Sequence, residues 1–224
     1  MNKSNNLPLK YVRYYDCYSR LTDADRKMLS SVHIKSDTLS DIVYSIDCMY
    51  FNRIKHGVGI RNVNGGVEFI NFDDMECPRT LRTSGISVVP YNNSNHSRYC
   101  CLFYNLVDYM AYQTLKTYAE VDLPDCCDCL ILSQCRNIIA LVVESEDYDK
   151  IYTFFPNTEL GGILSRTFSH RNPLCVENRE WQYTNYENMM EYLKHIVEQK
   201  NKERNDFLCT FRRFTNSPFG CYHI

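Results

Sequence analysis

The apolar positions change rhythm partway along the chain. From Arg98 onward, short apolar runs alternate with segments of helical spacing. Tyr99 to Phe103 is a short apolar run, and Leu106 to Tyr118 then places Leu106, Tyr109, Met110 and Leu115 on one helical face. Cys129 to Leu132 and Ile151 to Phe155 read as buried strands, and Leu174 to Val176 as a fourth. Between them, Ile138 to Val143 belongs to a helix ending near Glu144, and Ile163 to Phe168 to another. Asn185 to Arg204 reads as a long helix with Met189, Leu193, Ile196 and Val197 on one face. Strands alternating with helices predict a parallel α/β sheet built from right-handed crossovers.

The first part of the chain has another pattern. Thr22 and Asp23 can accept hydrogen bonds from the free N–H groups of a first helical turn, predicting a short helix to about Ser30. Ser31 to Lys35 alternates as a strand does, and Leu39 to Ile46 forms a weak second element. Gly57 to Arg61 and Val67 to Ile70 are strands of a hairpin, with Asn64-Gly65-Gly66 supplying the positive φ angles of the turn. Residues 73–97 carry Pro78, Gly85, Pro90 and the cluster Asn92 to Asn95, and that cluster reads as loop at a domain boundary. The organisation is therefore expected to be an α+β region over 1–97, an α/β region over 98–204 and a tail over 205–224.

Composition narrows the function classes. A chain of 224 residues with 44% hydrophobic and 23% charged residues supports a real core without staples. The net charge of -2 excludes nucleic-acid binding by bulk charge, so such binding needs a local patch. The most basic stretches are Arg166 to Arg171 and Lys200 to Arg213, and His170 beside Arg171 is placed to meet a phosphate. The 18 Tyr serve equally as core boundary or as base-stacking surface. No window is apolar enough to span a membrane, and the N-terminus lacks an apolar signal core. A cytoplasmic protein with its 12 Cys reduced is expected.

Candidate chemistry sits at strand ends, since ligands of parallel α/β sheets bind beyond the carboxyl ends of the strands. Tyr104-Asn105 follows the first strand and Pro156-Asn157-Thr158 the third. Adjacent strands would bring these loops face to face, where phosphoryl-transfer enzymes gather carboxylates around magnesium. This chain places no acid at either point. Asp108 lies one helical turn beyond Tyr104, and Glu159 lies beside Thr158, where a helix N-terminus favours a carboxylate. Pro156 removes an N–H that a phosphate- or metal-binding loop would use. Cys126-Cys127-Asp128-Cys129 contains a Cys-x-x-Cys pair, followed by Cys135, but no second pair at zinc-ribbon spacing. No Gly-x-Ser-x-Gly or Walker loop is present.

Residues 98–200 resemble a Toprim domain, in particular the primase-like Toprim proteins of bacterial mobilisable and conjugative elements. The resemblance is carried by Leu102 to Asp108, Leu130 to Ile138, Tyr148 to Gly162 and Glu187 to Leu193. The hairpin Gly57 to Glu68 is similar to the segment preceding Toprim in those proteins. It implies a Toprim-like parallel sheet flanked by helices. The family carries Glu-Gly after the first strand and Asp-x-Asp after the third; the matching positions here hold Tyr104 and Asn105, and Pro156 and Thr158. Asp108 and Gly161 match retained positions, and the zinc ribbon of full primases is missing. The resemblance thus implies a degenerate active site at Tyr104, Asn105, Asp108, Pro156, Asn157, Thr158, Glu159 and Gly161, with no catalytic residue, no magnesium and no zinc. It implies an accessory protein of a mobile element that binds DNA or RNA, with Arg166, His170 and Arg171 as contacts, or binds a replication or mobilisation protein. Two other readings stand beside it: a magnesium-dependent nucleotidyl transferase or nuclease recruiting Asp108, Glu159 and Glu144, and an interaction module docking through helix 185–204 and the aromatic segment 207–222.

Overall fold

A computed structural model describes residues 13–17, 20–39, 41, 43–50, 53–91, 97–122, 126–171 and 173–215. The described residues form two sheets. The first is an antiparallel meander of β1 (Arg13–Cys17), β2 (Val43–Tyr50), β3 (Arg53–Arg61), β4 (Val67–Asn71) and β5 (Asp74–Leu81), paired in chain order. The β3–β4 hairpin turns where the sequence predicts, with Arg61 paired to Val67 and Gly65 at φ 75°. The Asn62 side chain holds that turn by accepting from the N–H groups of Asn64 at 3.0 Å and Gly66 at 2.8 Å.

Helix α1 (Asp23–Ser31) follows β1, and Thr22 caps it in a reciprocal box with Asp25. The expected strand over Ser31 to Lys35 is the end of this helix instead. His33 takes the left-handed conformation at φ 69°, its N–H reaching Ser30 O while Ile34 N–H reaches Leu29 O. That pattern is a Schellman cap, and the buried pair Leu29 and Ile34 is its apolar contact. The alternation in the sequence is thus the signature of a helix end. The weak element expected over Leu39 to Ile46 is β2, displaced toward the C-terminus.

The second sheet runs β10 (Val176–Asn178), β9 (Lys150–Phe154), β7 (Tyr99–Phe103), β8 (Cys127–Ile131), β6 (Ser87–Val89). All neighbours are parallel except β6, which runs antiparallel to β8. The change of organisation expected after residue 97 therefore has a strand of this sheet on its N-terminal side. Helices α2 (Leu106–Thr117) and α5 (Met189–Thr215) pack on one face; α3 (Ile138–Ser145) and α4 (Glu159–Arg171) pack on the other. Alternate strand residues divide between the faces, Cys101 and Phe103 toward α2, Cys100 and Leu102 toward α3 and α4. The α2 face is continuous with residues of the first sheet and α1, among them Val58, Ile70 and Leu29. This shared apolar layer brings the N-terminal sheet to the edge of the parallel one.

The strand expected at Leu174 begins at Val176, and Leu174, 96% exposed, lies in the preceding turn. Helix α5 starts at Met189, where Asn188 accepts from Glu191 N–H at 3.0 Å, and continues to Thr215, so residues 205–215 of the expected tail are helical. Residues 216–224 lie outside the described residues. Among the described residues, no helix is long and apolar enough to cross a membrane.

Candidate functional site

Strands β7 and β9 are neighbours, with Leu102 opposite Thr153 and Phe103 opposite Phe154. The segments beginning at Tyr104 and Phe155 therefore leave the sheet side by side, as the resemblance requires. Their side chains are committed to the scaffold. Asn105 is the N-cap of α2, its Oδ1 accepting from Asp108 N–H at 2.9 Å. Tyr104 is half-buried against the α3–α4 layer with its hydroxyl 3.5 Å from Cys135 Sγ. Burial first, then that sulfur, pushes its phenol above the ordinary range.

The second segment is tied down more tightly. Asn157 donates its backbone N–H to Glu187 O at 2.6 Å and its side-chain amide to Tyr183 O and Tyr186 O at 2.9 and 2.8 Å. Thr158 Oγ1 accepts from Gly161 N–H at 3.2 Å at the start of α4. A Cβ at Gly161 would stand 1.8 Å from Pro156 O, so the tight loop itself demands glycine there. Glu159 is exposed on the first turn of α4.

Sequence reasoning missed two carboxylates at these strand ends. Glu68 comes from β4 of the other sheet and is fully buried. Its Oε1 accepts from Leu106 N–H at 2.9 Å and its Oε2 from Ser133 Oγ at 2.6 Å. Ser133, itself left-handed at φ 63°, donates its N–H to Tyr104 O at 3.0 Å. Glu180 is the second; its Oε1 accepts from Thr153 Oγ1 at 2.8 Å, Phe155 N–H at 3.2 Å and Ser165 Oγ at 2.7 Å. A signal for Glu68 existed: it alternates with Phe69 on the same side as Ile70, which puts a charge on the inward face of its strand.

Asp108 is 3% exposed. It accepts from Met189 N–H at the start of α5, while its Oδ2 is buried with no partner. Burial pushes Asp108 up to about 7, with Glu68 adding to the rise. Burial likewise pushes Glu68 up to about 7, partly offset by its bonds to Ser133 and Leu106. A cleft of about 660 Å³ opens here, between Val32 after α1, Phe72 after β4, Asn105 and Asp108 on α2, and Asn188 and Lys194 on α5.

A magnesium ion needs several placed oxygens. Asn105 and Asn157 offer amides already bonded within the fold, and Asp108 and Glu68 are acids that burial pushes up to about 7. Among the described residues, no group of three or more His, Cys, Asp and Glu is arranged to hold a metal. Of the cysteines singled out in the sequence, Cys126 and Cys135 are exposed, Cys127 is half-buried and Cys129 is buried on β8.

Of the other sequence candidates, His170 and Arg171 lie at the far end of α4, while the Arg166 guanidinium folds back toward Gly162 in its first turn. Arg166, His170 and Arg171 are exposed on α4, which starts at the strand ends and runs back along the sheet. At 1.5 Å per residue Arg171 is about 18 Å from Glu159, and it pairs with Glu146 at 2.9 Å. Glu144 lies near the far end of α3, so Asp108, Glu159 and Glu144 are not gathered at one point.

No protein-family model matches this chain, and no curated protein does. Among solved structures, the primase fragment of the bacteriophage T7 primase–helicase aligns with a TM-score of 0.54 and 12% identity, over 78% of this chain and 72% of that one. A chain of the complex between the T7 lagging-strand DNA polymerase and two primase domains bound to an RNA/DNA hybrid and dTTP aligns with a TM-score of 0.46 and 13% identity, over 84% and 91%. The chain thus has a primase-like, Toprim-type α/β fold with an antiparallel sheet ahead of it.

Proposed function

We propose that this chain is a catalytically inactive, primase-like accessory protein of a bacterial mobile element, which works by binding nucleic acid or a replication or mobilisation protein. The observation that carries the reading is the conversion of the strand-end positions to scaffold. Where Toprim enzymes place a general acid–base Glu and an Asp-x-Asp metal pair, this chain has Tyr104 and Asn105, and Pro156 and Thr158, of which Asn105 and Thr158 cap helices. The framework is kept, and those positions supply no carboxylate oxygens to hold a cation that would neutralise charge on a phosphodiester.

Purified protein incubated with Mg²⁺ or Mn²⁺, nucleoside triphosphates and single-stranded template is expected to synthesise no primer and to leave DNA uncut. It is expected to retain single-stranded DNA in a binding assay, with a loss of affinity when Arg166 and His170 are both changed to Ala. Primer synthesis or cleavage abolished by Asp108→Ala would overturn the reading.

A further inference from the structure

Three thiols share the α2 face of the parallel sheet, away from the strand-end site. In the register of β7 and β8, Cys101 stands opposite Cys129 and Tyr99 opposite Cys127, so Cys101, Cys127 and Cys129 project the same way. Cys101 and Cys129 are buried, and Cys127 is half-buried. Cys127 and Cys129 line a cavity of about 220 Å³ whose walls include Pro90, Tyr91, Tyr112 and Lys116. Cys127 is faced by the Cys101 thiol from β7, Lys116 and Tyr112 from α2, Tyr152 from β9, and Asp128 on its own strand. The Cys101 thiol, donating a hydrogen bond, is the strongest influence on it; burial opposes this, Lys116 reinforces it, and Asp128 opposes it again. The net effect lowers the Cys127 thiol below its ordinary value. The Asp128 carboxylate is engaged by Tyr91 N–H at 2.7 Å and the Tyr148 hydroxyl at 3.0 Å. A thiol with a hydrogen-bond donor, a nearby ammonium and an open cavity is the arrangement that makes cysteine nucleophilic.

We propose that Cys127 is an oxidant-sensitive modification site, where a hydroperoxide entering the cavity converts the thiolate to a sulfenic acid. The sulfur attacks one peroxide oxygen; an S–O bond forms and the O–O bond breaks. Sulfur is oxidised by two electrons, and the departing oxygen leaves as hydroxide or alkoxide and takes a proton from solvent. The resulting group projects into space between β8 and α2 that is already open.

Accessibility alone would select other residues, because Cys126 and Cys135 are both more exposed. The full chain should be treated with limiting hydrogen peroxide in the presence of dimedone, and the adduct mapped by fragment-ion mass spectrometry. Cys127 is expected to carry the adduct ahead of Cys126 and Cys135. Lys116 is exposed on α2, so Lys116→Met leaves the fold intact. That variant should slow trapping at Cys127 about threefold through a smaller thiolate fraction, with Cys135 unchanged. Earlier trapping at Cys126 or Cys135 overturns the proposal, as does an unchanged Cys127 rate in the Lys116 variant.

Discussion

At two of the places where described residues bury carboxyl groups, protons are held for opposite reasons. At the start of α1, Asp25 is 0% exposed but fully partnered: Oδ2 accepts from Thr22 N–H and Oγ1 at 2.7 and 2.6 Å, and Oδ1 meets His56 Nε2 at 2.8 Å. The other ring nitrogen, Nδ1, lies 2.6 Å from Asp47 Oδ1. A ring with a carboxylate on each nitrogen satisfies both only as imidazolium. Burial lowers the His56 pKa, but the hydrogen bonds and charges of Asp47 and Asp25 outweigh it and the net shift is upward. At the junction of the two sheets, Glu68 and Asp108 have amide and hydroxyl donors but no cation, and burial pushes both up to about 7. In the first place attraction to charge keeps a proton on the histidine; in the second, denial of charge keeps protons on the acids. What separates them is a cation within hydrogen-bond reach.

Both places make stability fall as pH rises, in different windows. The unfolded chain releases carboxyl protons near pH 4, whereas folded Glu68 and Asp108 release theirs near 7. Between about pH 4 and 7 the folded state binds more protons, so their contribution declines across that interval and levels off above it. His56 contributes fully below its unfolded pKa of about 6.5, and that contribution is lost as pH climbs through its raised folded value.

The largest expected effect breaks the junction. Glu68→Ala strands the N–H of Leu106 and the hydroxyl of Ser133 and leaves a void between the sheets, costing about 3 kcal/mol in urea unfolding at pH 6. Glu68→Gln, which keeps size and an acceptor oxygen, should cost about 1 kcal/mol. A loss near zero for the alanine variant would mean that Glu68 does not tie β4 to α2. Asp108→Asn sharpens the comparison further. The amide still accepts from Met189 N–H but cannot ionise, so the variant should be roughly 1–2 kcal/mol more stable than the parent at pH 8.5 and equal to it at pH 4. Equal stability at both pH values would show that folding does not raise the Asp108 pKa.

How much of this was legible in the sequence depends on the range of the interaction. The Thr22 cap, the Asn64-Gly65-Gly66 turn and the placement of loops 104–105 and 156–158 on adjacent strands are local or periodic features, and each stands where the sequence predicts it. Ser31 to Lys35 misled because a Schellman cap and a strand both place apolar residues around polar ones; only the left-handed His33 distinguishes them. The start of α5 could have been read from Asn188 and Glu191, spaced as cap and third residue. Alternation puts Glu68 on the inward face of its strand, but its partners, like those of Glu180, come from remote segments. Glu68 serves α2 and the end of β8 from another sheet, and no spacing rule encodes that. The basic run at Arg166 to Arg171 was legible as charge, but only the direction of α4 tells that it leads away from the strand ends.

The smallest effect tests the other arm. His56→Ala removes the cation between Asp25 and Asp47, leaving Asp25 buried with only its Thr22 bonds. The His56 side chain is 39% exposed, so solvent screening discounts the ion pairs to about 1 kcal/mol at pH 5.5. The cost should shrink as pH climbs through the raised folded value, where the parent ring releases its proton and no longer bridges two carboxylates. Unfolding curves at pH 5.5 and 8.5 separate the two arms: His56→Ala loses its effect as pH rises, whereas Asp108→Asn gains its effect over the same interval. If His56→Ala cost the same at both pH values, the charge on the ring would not change over that interval, and loss of the cation between Asp25 and Asp47 would not be what rising pH brings about.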